Sequence, residues 1–234
     1  MPDIDLSNPG LPGLRLLQLI SPNLPTGAFT YSQGLEWAVE CGWIHNKTDT
    51  CHWLKSVLDD SLQTLELPLL VRLFDAVNSD NHTEFHYWAQ WLYASRETSE
   101  LRNEEQQRAR ALFKVLQQLP DSHDWPPLEN WRSSLMCCQL AAYALAAHHW
   151  RIPLRNLLTG YTWSWLENTV AAAIKLVPLG QTEGQQLLYQ FSAEINVAVE
   201  HAIALEDDAI GASTPAQAIA SSLHETQYSR LFRS

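Results

Sequence analysis

The sequence predicts an all-α fold, a single-domain helical bundle of about nine to ten helices around a central apolar helix. Three observations predict it. Apolar residues recur at i, i+3, i+4, i+7 in each well-patterned stretch. No Asn-Gly or Asp-Gly joins two alternating runs, so hairpin signals are missing. One segment, "SSLMCCQLAAYALAAHH" (residues 133–149), is apolar on nearly every face, as expected of a helix surrounded by others.

The first marked element follows "SPNLPTGAFTYSQGLEWAVE" (residues 21–40). Thr30 and Gln33 have the spacing of a capping box, leading into a helix that carries Leu35, Glu36, Trp37 and Val39. Pro22 and Pro25 stiffen the approach, and Gly27 permits an unusual turn. Leu54, Val57, Leu58, Ser61, Leu62 and Leu65 form the next stripe. In "ELPLLVRLFDAV", Leu70, Leu73, Phe74 and Val77 repeat it, with Pro68 suited to a first turn. Phe85, Trp88, Ala89 and Leu92 follow. "SELRNEEQQRAR" mixes charges and reads as a solvated helix face, with Arg96 and Glu100 at i, i+4.

In the second half, Ser133 or Ser134 is placed to cap the apolar helix. A second central helix through "LENTVAAAIKLV" stops at Pro178, because the residue before proline is pushed out of the helical region. Leu188, Phe191, Ile195, Ala198 and Ala202 make a last clean stripe. The breaks at 119–130 and 209–215 are too short for an interdomain linker, so residues 1–234 read as one domain. Residues 1–11 form an N-terminal arm and 224–234 a C-terminal tail.

Composition narrows the function. Hydrophobic residues make up 46% and charged ones 18%, with ten tryptophans, which leaves sizeable uncharged surface for protein association. The net charge of −11 repels phosphate backbones and argues against nucleic acid as a partner. Cys41, Cys51, Cys137 and Cys138 form no CxxC and no disulfide framework. The N-terminus is acidic, unlike a signal peptide, and Glu167, Asn168 and Lys175 interrupt the longest apolar run. These features predict a soluble, cytoplasmic protein without a membrane span.

No reactive centre stands out. Gly27 and Gly34 are seven apart with no lysine after them and no strand before them, so the opening stretch is not a nucleotide loop. His82 and His86, and Cys41 and His45, stand at i, i+4, a spacing that turns two ligands to one metal. No HExxH accompanies them, and no third ligand is tied to either pair. A metal-dependent helical enzyme using His82 and His86 is therefore the alternative reading. In "HETQYSRLFRS", Tyr228, Leu231 and Phe232 fall on one helical face flanked by Arg230 and Arg233. Such a cluster either docks on its own core or meets a partner, aromatics and arginine being enriched at interface hot spots.

Four stretches, in this order, carry a resemblance: "SPNLPTGAFTYSQGLEWAVE", "SRETSELRNEE", "YTWSWLENTVAAAIKLVPLGQT" and "HETQYSRLFRS". Over residues 12–234 the chain resembles the UreF family of urease accessory proteins. Ala109 stands where the family pattern has glycine. The resemblance implies a non-enzymatic homodimer that acts in assembling the urease nickel centre. Its implied partners are the accessory protein UreD (UreH in some organisms), the GTPase UreG and apo-urease. Nickel would pass transiently through the complex and GTP would sit on UreG, with no cofactor held stably. The implied partner-binding residues are Gly27, Phe29, Tyr31, Ser32, Gln33, Glu36, Lys175, Tyr228, Arg230, Leu231 and Phe232. The tail residues would order on binding UreD, and Arg96, Glu97 and Glu100 would add polar contacts.

Overall fold

Helical spacing is realised from Gly10 to His224 in the computed structural model, which describes residues 10–120, 122, 125 and 128–233. Most of the expected N-terminal arm lies outside the described residues; Gly10 and Leu11 already belong to the first helix. The order is α1 (Gly10–Leu19), α2 (Leu35–Glu40), α3 (Lys47–Val57), a π-helical stretch (Leu58–Glu66), α4 (Leu67–Asn78), α5 (His82–Ser95) and α6 (Ser99–Gln117). Then come α7 (Leu128–Leu135), α8 (Gln139–His149), α9 (Leu154–Leu176), α10 (Gln181–Ala204) and α11 (Pro215–His224). Among the described residues there is no strand, and no helix is long and apolar enough to cross a membrane.

The apolar stripes are the buried ones. Leu54, Val57, Leu58, Leu62 and Leu65, then Leu70, Leu73 and Val77, then Phe85, Trp88, Ala89 and Leu92 all lie in one core that runs from Leu16 to Phe232. α4 packs against α5 and α8, while α9 lies against α10. Every residue from Gln139 to Ala147 of α8 is buried, which is why its sequence shows no polar face.

Two local expectations are corrected below. Pro68 stands in the first turn of α4, as expected, although α3, the π stretch and α4 run on without a break from 47 to 78. Proline has no N–H and crowds the carbonyl four residues back, so a local widening relieves both. The Thr64 carbonyl, four before Pro68, instead accepts from the Gly211 N–H at 3.2 Å.

The segment 133–149 is not one helix either. It breaks at Met136–Cys138, where Cys138 is extended (φ −131°, ψ 117°). Neither serine caps α8; the buried Glu105 carboxylate does, accepting the Gln139 N–H at 2.7 Å. A negative group at a helix N-terminus satisfies an orphan donor and complements the dipole.

The solvated face expected of α6 is also wrong for its carboxylates, since Glu100, Glu104 and Glu105 are all buried. Arg96 lies just outside α6 and does not pair with Glu100. Its guanidinium reaches Glu66 at 2.8 Å and Glu105 at 2.8 Å. Burial alone would push the Glu66 carboxyl up. The Arg96 charge, with hydrogen bonds from Arg96 and from the Tyr161 hydroxyl, holds it below its ordinary value.

Candidate partner-binding surface

The joint before α2 is shaped by left-handed backbone. Gly27 (φ 74°) starts a single 3-10 turn, Ala28–Thr30, and Gln33 (φ 53°) and Gly34 (φ 86°) stand left-handed in succession. A Cβ on Gly34 would sit 2.8 Å from the Ser221 backbone nitrogen, so only glycine lets α2 and α11 approach this closely.

The capping box does not form. Thr30 Oγ1 donates to the Gly27 carbonyl at 2.8 Å, and Gln33 Nε2 donates to Glu104 Oε1 at 2.9 Å. Gly34 is the residue that precedes the first turn of α2, and Ser32 Oγ accepts the Glu36 N–H at 3.3 Å. Tyr31, beside them, donates its hydroxyl to Gln107 Oε1 at 3.1 Å. Burial and the neighbouring Glu104 charge push its phenol above the usual range.

The C-terminal tail is not helical, so Tyr228, Leu231 and Phe232 do not share a helical face. α11 ends at His224, and the chain then turns back over α2 and α6. The cause is competition for backbone donors. Glu36 Oε1 accepts the Leu231 N–H at 2.6 Å and Oε2 accepts the Phe232 N–H at 2.8 Å. The Arg233 N–H goes to the Thr30 carbonyl at 2.8 Å. Those N–H groups are the ones a continuing helix would have used. Arg230 reaches Glu100 Oε1 at 2.7 Å, and Glu225 Oε1 accepts from the Ser99 N–H at 2.8 Å. The tail is thus seated on the chain's own body.

Apart from Gly27, which shapes the turn, the residues expected to meet partners fall into two groups. Tyr31, Ser32, Glu36 and Phe232 are buried, and with Gln33 and Arg230 they fasten the joint and the tail to the body. Phe29 (61% exposed), Leu231 (66%) and Tyr228 (fully exposed) face outward. Lys175, near the end of α9, is exposed and places Nζ 5.6 Å from the centre of the Phe232 ring, a cation–π contact. The joint, tail, α6 and α9 therefore converge on one rigidly backed surface carrying aromatic, aliphatic and cationic groups. Glu97 is exposed, away from this bonding pattern, while Arg96 and Glu100 are internal anchors.

Sequence reasoning missed His224, Glu66, Glu104, Glu105, Arg108 and Tyr161 as parts of the buried polar framework. One signal was present: Glu105 falls between Leu101, Ala109 and Leu112 on the same stripe of α6, where a solvated residue does not belong.

The histidine pairs do not form a centre. His82 stacks on Trp131 with ring centres 3.9 Å apart, and His86 Nδ1 lies 3.3 Å from Ser134 Oγ. Cys41 Sγ points to the Ala38 carbonyl at 3.6 Å. No three His, Cys, Asp or Glu side chains among the described residues converge as metal ligands do.

Comparison with known proteins bears on this surface. The UreF family profile matches residues 44–192. The chain is 58% identical over 222 residues to the urease accessory protein UreF of Alcanivorax borkumensis, covering 94% of this chain and 97% of that one. It is 48% identical to the protein of the same name from Alkalilimnicola ehrlichii, over 97% and 98% of the two chains. The Citrobacter koseri protein of that name is 44% identical, over 94% and 97%. With the profile spanning most of the chain and relatives matched almost end to end, the chain belongs to the UreF family of urease accessory proteins.

Proposed function

We propose that the chain works as a non-enzymatic, homodimeric scaffold in assembly of the urease nickel centre. It binds UreD (UreH in some organisms) and, with it, recruits and regulates the GTPase UreG during nickel delivery to apo-urease. Nickel is cargo of the complex and GTP belongs to UreG. The observation that carries this reading is the tail seated on the joint through Glu36, with Phe29, Tyr228 and Leu231 turned outward. A rigid backing lowers the ordering cost of binding, and exposed aromatic side chains supply large contact area per fixed torsion. Arg230 and Lys175 give that patch positive charge on a chain of net charge −11, which favours one orientation of an approaching partner. Coupling follows if UreD and UreG contact this one surface, since each then biases the other's binding.

Removing residues 226–234 tests the proposal. This cut spares His224 and Glu225, which are bonded to the body through Glu36, Glu100 and Ser99. The truncated chain should keep its far-ultraviolet helical signal and lose UreD in a pull-down. Retention of UreD would remove the tail from the interface.

A further inference from the structure

A cleft of about 540 Å³ opens between α4, α5 and the end of α10, elements other than those that form the joint and the tail. Val71 and Ile203 line it with aliphatic surface, and Tyr87 and Trp88 line it with aromatic surface. Tyr87 is 53% exposed, with its ring centre 4.8 Å from that of Trp88, and Trp88 stacks in turn on Trp91 at 5.3 Å. Packing among the three rings fixes their orientation, so the aromatic wall is formed before anything binds.

The charges in the cleft do not balance. Arg72 Nε donates to Asp207 Oδ1 at 2.8 Å, and Nη2 donates to the Leu205 carbonyl, so this one cation is already engaged. Asp75 and Glu84 also line the cleft, and their carboxylates hold no hydrogen bond or salt bridge among the described residues. Partial burial pushes the Asp75 carboxyl above its ordinary value, and the Arg72 charge offsets only part of this. An aromatic wall beside uncompensated carboxylates is complementary to a cation. No three His, Cys, Asp or Glu side chains among the described residues converge, so these carboxylates form no cage for a metal ion.

We infer that this cleft docks an arginine side chain presented by a partner protein. The guanidinium lies against Tyr87 and Trp88 and donates to Asp75 and Glu84, while the methylene stem covers Val71 and Ile203. A guanidinium is flat and weakly hydrated, so it stacks on aromatic faces while its N–H groups reach carboxylates; an ammonium is strongly hydrated and gains less from the rings. The net charge of −11 draws a basic segment of a partner towards the molecule, and the cleft gives that segment one place to anchor. The site is independent of the tail surface and stands whether or not UreD binds there.

A titration of the full chain tests it. Protein carrying isotope-labelled tryptophan is followed by NMR as the peptide acetyl-Gly-Arg-Gly-amide is added. The Trp88 signal, assigned by its loss in Trp88→Phe, should move and saturate. The same peptide with citrulline keeps the shape of arginine without its charge, and should bind at least roughly tenfold more weakly, the scale of one charged hydrogen bond. Asp75→Asn/Glu84→Gln, both at exposed positions, should weaken the arginine peptide by a similar factor. Butylamine, a small ammonium of the same charge, should bind more weakly than the peptide. A Trp88 signal that stays still, citrulline binding as well as arginine, or an affinity unchanged in the double variant overturns the site. Butylamine binding as tightly as the peptide overturns its assignment to a protein's arginine. The comparison of arginine with citrulline uses the native chain, so it decides even if the double variant fails to fold.

Discussion

Arg96 sits between Glu66 and Glu105 with almost no exposure, while the Tyr161 hydroxyl donates to the far side of Glu66 and the Gln139 N–H to Glu105. Such an arrangement adds little stability over an apolar equivalent, but it is costly to break. Arg96→Met leaves two buried carboxylates facing each other, and we expect a loss of about 3–5 kcal/mol in urea denaturation. The pH dependence has a definite sign. Glu66 is held below its ordinary value, so its contribution is fully present above the unfolded carboxylate range near pH ~4.5 and is lost as pH falls through the folded value. Acid unfolding should therefore begin at higher pH in Tyr161→Phe, which removes one of the bonds that lower Glu66. An unchanged acid midpoint would place the hydroxyl outside the network's energetics.

At the scale of elements, the close crossing of α2 and α11 depends on Gly34, with φ 86° and no room for a Cβ against Ser221. Gly34→Ala adds left-handed strain and a backbone clash, and should cost more than about 2 kcal/mol. It should also weaken tail seating, since it displaces Glu36 in the next turn; loss of Leu231 amide protection checks this.

The elements differ in how legible they were. Helical stripes such as 54–65 and 85–92 were plain, because local spacing alone decides which face is buried. The break before α8 was not, because its cap is the Glu105 carboxylate, 34 residues earlier in the chain. The tail likewise carries a sound helical pattern, but Glu36, nearly two hundred residues away, takes its backbone donors. The candidate surface residues were visible as types, whereas their division into fasteners and outward-facing side chains required the long-range bonds.

For the whole molecule, one core lies behind one face on which the opening joint, α6, α9 and the tail meet. The scaffold role proposed for this member of the UreF family puts its partner contacts on that face. Native mass spectrometry of the chain mixed with UreD and UreG, with nickel and GTP present, tests this most directly. The native chain should give one assembly containing all three proteins. Tyr228→Ala/Leu231→Ala, whose positions are exposed, should fold with stability within about 0.5 kcal/mol and bind UreD roughly thirtyfold more weakly, leaving the assembly unformed. A native chain that stays apart from UreD, or a double variant that assembles as the native chain does, would contradict the account.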